Sequence, residues 1–106
     1  MWTVETLNAA VDAEIRALRT DLRARLSHIS ALIEATGFDN IPADYVKHLE
    51  GKLWELRLKG KSGIARAIYV TVTGKRVVIV KAFLKKTRKT PLKELATARE
   101  RAKELE

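Results

Sequence analysis

Cysteine is missing from all 106 residues, which excludes a disulfide framework and a cysteine-based zinc site. Histidine is nearly missing: His28 and His48 are the only two, too few for a histidine-rich metal set. No apolar run approaches the roughly 18 residues needed to cross a bilayer. The first residues also lack the basic start and apolar block of a secretion signal. These absences predict a cytoplasmic protein with no membrane partner, no metal and no cofactor. No linker, low-complexity block or internal repeat divides the chain, so its length predicts one domain, 1–106, around a single core. A phosphate-binding glycine loop is absent as well. Gly60-Lys61-Ser62 looks like the end of one, but the upstream glycine and the four-residue spacing are missing, which leaves a turn. Within 53–91 Glu55 is the only acid, so no carboxylate pair is available there.

Positive charge is abundant. The net charge is +8, and its distribution matters more than its sum. From Lys47 to Lys89 there are 13 Lys or Arg against two Glu, so the rest of the chain is slightly acidic. Such a field attracts nucleic acid, an acidic protein or an anionic surface without distinguishing among them.

That basic stretch also carries the strand pattern. Leu53 to Leu58, Ile64 to Thr73 and Arg76 to Leu84 are rich in Val, Ile, Tyr and Trp, and Gly60, Gly63 and Gly74 separate them. This punctuation predicts an antiparallel meander. Period two sets Trp54, Leu56 and Leu58 on one face of the first strand and Glu55, Arg57 and Lys59 on the other. In the second strand it sets Arg66, Ile68 and Val70 against Ala65, Ala67 and Tyr69. The third strand is apolar apart from Arg76 and Lys81, which predicts a central place with neighbours on both edges.

Around the meander, Trp2 to Leu7 reads as a short first strand joining from afar. Asn8 or Asp12 caps a helical run to about Ala35, whose apolar stripe includes Ile15, Leu18, Leu22, Leu26, Ile29 and Leu32. The run is either one long helix or a hairpin broken near Arg25 to His28, and Gly37 supplies its stop. Phe38 to Lys52 is a connector with one helical turn or two. Thr90-Pro91 predicts a capping residue and first helical position for a C-terminal helix. The fold class is therefore α+β, a mostly antiparallel twisted sheet with helices at both ends of the chain.

Arg57, Arg66, Lys85 and Lys86 form a constellation suited to a phosphodiester. Arginine clamps nonbridging oxygens, and lysine adds a mobile point charge. In RNA the 2′-hydroxyl is a built-in nucleophile, so cleavage requires only a base, charge stabilisation and an acid for the leaving 5′-oxygen. Ordinary lysine, with a pKa near 10.4, serves as a base only when neighbouring cations or burial lower that value. His48 and Glu55 are the other acid–base candidates, and the same cations equally suit a protein that anchors phosphate without cutting.

The run Leu53-Trp54-Glu55-Leu56-Arg57, followed by Arg66 and Tyr69, then Ala82-Phe83-Leu84-Lys85-Lys86-Thr87-Arg88-Lys89-Thr90-Pro91 and Ala98, resembles the RelE/HigB toxin superfamily, in particular its phage-derived HigB-like branch. The resemblance implies a small RelE-like fold and a toxin of a type II toxin–antitoxin pair, cutting mRNA in the ribosomal A site without a metal. It implies that Arg57 and Arg66 bind the scissile phosphate and nearby backbone. Lys85 or Lys86 would add charge stabilisation or proton transfer, while Lys59, Lys61, Lys81, Arg88 and Lys89 would contact RNA or ribosome. It also implies a cognate helix-turn-helix antitoxin. Related toxins often place a Tyr, His or acidic residue in the C-terminal part of the site; from Thr90 onward this chain has no Tyr or His, and the general base does not transfer. The rival reading is a non-catalytic nucleic-acid-binding regulatory or phage accessory protein.

Overall fold

Period two along 53–84 does become three consecutive antiparallel strands, and two further strands complete the sheet. The computed structural model describes residues 1–105. In chain order the elements are β1 (Thr3–Thr6), α1 (Ala9–Arg16), α2 (Thr20–Thr36), a 3-10 turn at Ala43–Tyr45, β2 (Val46–Glu50), β3 (Leu53–Gly60), β4 (Gly63–Val72), β5 (Arg76–Leu84) and α3 (Leu92–Ala102), with a last 3-10 turn at Lys103–Leu105. The sheet order is β1-β5-β4-β3-β2, antiparallel throughout except that β1 runs parallel to β5. The expected early strand therefore exists, at the far edge. β5 has the expected neighbour on each edge, β1 and β4, while β4 is the middle strand of the five.

The helical run breaks at 17–19 and not near Arg25 to His28. Asn8 caps α1 by accepting the Val11 N–H at 3.1 Å, and Leu18, in the break, turns into the core with 7% exposure. Leu22, Leu26, Ile29 and Ile33 then form an unbroken buried stripe along α2, which a bend at 25–28 would disrupt. Gly37 ends α2 with φ 72°, and a Cβ there would press on the Trp2 indole at 3.1 Å.

The connector contains a strand that the sequence pattern does not announce. β2 is short and carries Lys47, His48 and Glu50, a composition suited to a sheet edge. Its register pairs Lys47 with Glu55 and His48 with Trp54, and shifts between His48 and Glu50.

Helices α1 and α2 cover one face, packing on Leu56, Leu58, Ala67, Tyr69, Val77 and Ile79. α3 covers part of the other, where Ala98 meets Leu53, Ile68, Val70, Val78 and Val80. β5 bulges at Val80, since Ile68 pairs with Lys81 while Tyr69 pairs with Ile79. Beyond that bulge β1 has ended, and side chains take its place along the open edge. Glu14 accepts the Ala82 N–H at 3.1 Å, and Arg101 donates to the Val80 carbonyl at 2.8 Å. None of the described helices is long and apolar enough to cross a membrane.

Candidate functional site

On the α3 side, register stacks the polar residues of β3, β4 and β5 in rows at the end of the sheet beyond the start of α3. Arg57 faces Arg66, which faces Phe83. One row out, Lys59 faces Ile64, and the Lys85 N–H donates to the Ile64 carbonyl at 2.8 Å. One row in, Lys47 and Glu55 stand opposite each other, followed by Ile68 and Lys81. Alternation on β3 and its pairing with β2 thus set Lys47, Arg57 and Lys59 on one face, and Lys85, just past the end of β5, joins them beside Ile64. Lys47 was not among the expected site residues; its signal was hidden with the strand that carries it.

Arg66 is not on the surface of this patch but under it. It is 1% exposed and paired with a fully buried Glu55 at 3.0 Å. Its Nη1 donates to Glu55 Oε1 at 3.1 Å and to the Thr90 hydroxyl at 3.0 Å, and its Nη2 donates to the Arg88 carbonyl at 3.0 Å. The expected direct contact of Arg66 with a phosphate has no surface to form on. Glu55 is likewise occupied and out of solvent, so a role as acid or base in contact with substrate does not fit its place. Thr90 does not cap α3. Pro91 stands at the cap position, α3 starts at Leu92, and the Thr90 hydroxyl turns inward to donate to Glu55 Oε1 at 3.2 Å. The buried ion pair thereby holds the basic turn 85–90 at two points.

Arg57 is different. It is half-buried, and its buried Nε has no hydrogen-bond partner among the described residues. Leaving such a donor unsatisfied costs about 1–3 kcal/mol, a deficit that an anion docking on the guanidinium would relieve. Lys85 is the perturbed base of the patch. Partial loss of hydration, then Arg66 and Arg57, push its pKa below the ordinary lysine value of 10.5; Glu55 opposes them and Lys59 adds to them.

The remaining expected residues fall into three groups. Lys86, Arg88 and Lys89 are exposed along the turn, and Lys59 and Lys61 are exposed at the β3–β4 hairpin. That hairpin is fixed to α2, because Asp21 accepts the Ser62 N–H at 2.8 Å and also its hydroxyl. Gly60 permits the approach, since a Cβ there would collide with the Asp21 carboxylate. Lys81 points away to Glu14 at 3.1 Å and Glu94 at 3.8 Å, and is 16% exposed. An RNA contact by Lys81 is therefore opposed by its pairing. His48 shares its face with Trp54, its ring 4.8 Å from the indole, on the side of the sheet opposite Arg57. A histidine base at the Arg57–Lys85 patch is excluded by that parity.

Cavities lie elsewhere. One of about 520 Å³ opens at the far end of the α3 face, beside Glu50, Leu53, Val70 and Arg99. Another of about 480 Å³ is lined by Trp2, Phe38, Trp54 and Tyr69 on the α2 face. Among the described residues no group of three or more His, Cys, Asp or Glu is placed to hold a metal ion. What the patch can do chemically is bind a polyanion and move a proton at Lys85.

Residues 13–103 match the family described as phage derived protein Gp49-like. No curated protein matches the chain. Among solved structures, one chain of the crystal structure of the archaeal RelE–RelB complex from Pyrococcus horikoshii OT3 aligns with a TM-score of 0.56 at 22% identity. The alignment covers 78% of this chain and 93% of that one. At that identity the likeness is one of fold, and it is the α+β RelE-like arrangement.

Proposed function

The chain belongs to the phage-derived Gp49-like family, a RelE-type toxin family, and from that premise we propose that it is the toxin of a type II toxin–antitoxin pair, a ribosome-dependent, metal-independent mRNA endonuclease that inhibits translation. The observation that carries this reading is the meeting of Arg57, Lys59 and a lysine of lowered pKa, Lys85, on one open end of a sheet face. Arg57 holds the nonbridging oxygens of the scissile phosphate and counters the charge that grows in the transition state. The RNA 2′-oxygen attacks phosphorus while its proton passes to neutral Lys85. The bond to the 5′-oxygen breaks, leaving a 2′,3′-cyclic phosphate and a 5′-hydroxyl. A proton from solvent or from the protonated lysine completes the leaving group. Lys47, Lys59, Lys86, Arg88 and Lys89 line the approach to flanking phosphates. The partners in this reading are the ribosome with its mRNA and a cognate helix-turn-helix antitoxin, in the cytoplasm.

The test is cleavage of an mRNA programmed on purified ribosomes, set against the same RNA free in solution with a chelator present. Cuts that appear only with ribosomes support the toxin reading. The second reading, binding without cleavage, is favoured by one observation: the lone proton-transfer candidate in the open patch is a lysine, with Glu55 sealed off and His48 on the other face. Folded protein that leaves the ribosome-bound mRNA intact would establish it.

A further inference from the structure

The basic turn poses a physical problem. Lys85, Lys86, Arg88 and Lys89 lie within five residues and repel one another as well as Arg57, and all but Lys85 are exposed. Lys86, Thr87, Arg88 and Lys89 are all exposed, and the turn's side-chain bond to itself runs from the Thr87 hydroxyl to the Lys89 carbonyl at 2.8 Å. Left free, such a segment would swing away from the sheet beyond the Lys85 N–H, which stays on the Ile64 carbonyl, and would unsettle the Lys85 side chain beside it. What opposes that motion is polar and partly buried: Arg66 to the Arg88 carbonyl, and the Thr90 hydroxyl between Arg66 and Glu55.

One hydroxyl makes both of the latter bonds, accepting from Arg66 Nη1 and donating its single proton to Glu55 Oε1. A threonine before a proline at a helix start ordinarily caps the helix, which is worth about 1 kcal/mol. Here that stabilisation is forgone, and α3 has no side-chain cap. The hydroxyl is spent instead on joining the turn to the buried pair.

We propose that Thr90 is a positioning residue: its hydroxyl latches the 85–90 turn onto the Arg66–Glu55 pair and so fixes Lys85 beside Arg57. The effect on cleavage rests on the nuclease reading above; the latch itself does not. The experiment compares wild type with Thr90→Val, which keeps the branched shape and removes the hydroxyl, and Thr90→Ser, which keeps the hydroxyl. In each, the titration of the Lys85 side chain is followed by NMR and ribosome-dependent cleavage is resolved into kcat and KM. Thr90→Val moves Lys85 titration up toward that of an ordinary lysine and lowers kcat by about tenfold, a loss typical of a misplaced group, with KM changed by less than about threefold. Thr90→Ser restores both. Unchanged Lys85 titration in Thr90→Val, or a Thr90→Ser variant as impaired as Thr90→Val, overturns the latch. In wild-type protein the same geometry predicts a slowly exchanging Thr90 hydroxyl proton, and fast exchange there overturns it without any variant. If wild type does not cut, the nuclease reading fails while titration and proton exchange still decide the latch.

Discussion

Two acid–base clusters hold this molecule together, and they use their charges in opposite ways. Glu55, Arg66 and Thr90 lie inside the sheet end, with Glu55 and Arg66 at 0% and 1% exposure. Glu14, Lys81 and Arg101 lie along the open edge of β5, at 16–19% exposure. The first joins the basic turn to the sheet and leaves Arg57 and Lys85 above it without acidic partners. The second absorbs two cations to seal a strand edge, and Glu94 from α3 adds to it. In the sequence, Arg66 and Lys81 look equally available. The difference teaches that a strand cation is offered to a ligand only where no carboxylate pairs with it, as Glu55 pairs with Arg66 and Glu14 with Lys81.

The comparison breaks most visibly at Glu55. Glu55→Ala leaves the buried Arg66 unpaired and should lower stability by about 3–5 kcal/mol in urea unfolding. Replacing both partners by apolar residues, Glu55→Leu with Arg66→Met, should recover most of that loss, because such swaps of a buried pair are often close to neutral. It should still fail to hold the 85–90 turn. Full recovery of both stability and activity in the double variant would reduce the pair to packing.

Lys85→Ala should do the reverse. Stability should stay within about 0.5 kcal/mol, as for most surface changes, while kcat on ribosomes falls by about 10²–10³ through lost acid–base and charge stabilisation. The sign of the pH effect follows from its lowered pKa. In the proposed reaction the base is the neutral amine, so wild-type rate should rise with pH through a value below 10.5. Arg57→Gln removes one of the cations that lower it, and the inflection should move up.

The edge cluster gives a smaller, pH-dependent effect. Burial acts to raise the Glu14 pKa, but donation from Arg101, the Ala82 N–H and Lys81 overcomes it and holds the value below 4.5. With a depressed folded-state pKa, the stabilisation is present above the ordinary glutamate value and is lost as pH falls through the lower one. Wild type should therefore lose stability faster than Glu14→Gln on acid titration below about pH 4.5, a window set by linkage. Parallel acid profiles would show that the cluster does not depend on Glu14 charge.

How much of this was legible is decided by range. The meander was readable because period two and three glycines act within a few residues, and Asn8 and Gly37 marked helix ends for the same local reason. β2 was not readable, since Val46 to Glu50 alternates too briefly and owes its strand state to pairing with β3. Parity placed Arg57 and Lys59 on one face of β3, while Lys85 was singled out by the cluster of cations and not by alternation. The withdrawal of Arg66, Lys81 and His48 from that patch was not legible, because it depends on pairing across the fold: Arg66 with Glu55 and Thr90, Lys81 with Glu14 67 residues away, and His48 with Trp54 in the β2–β3 register. Thr90 misled for a subtler reason: its neighbour Pro91 signalled a helix start one residue too early, and capping is the commonest use of a threonine there.

The smallest expected effect tests the comparison most sharply. Lys81 lies on β5 four residues before Lys85 and contributes equally to the charge count, yet its ammonium sits between Glu14 and Glu94. Lys81→Ala should cost about 0.5–1 kcal/mol, as partly exposed ion pairs do. It should leave ribosome-dependent cleavage within about twofold, and the salt dependence of RNA binding unchanged, because a cation already neutralised by carboxylates releases no counterion from a phosphate. Lys59→Ala, which removes an exposed cation from the row beside Lys85, should instead reduce the salt slope by close to one unit. If Lys81→Ala reduces that slope as much as Lys59→Ala, the edge cluster opens when RNA arrives. Pairing in the free protein would then be no guide to which cations meet the phosphates.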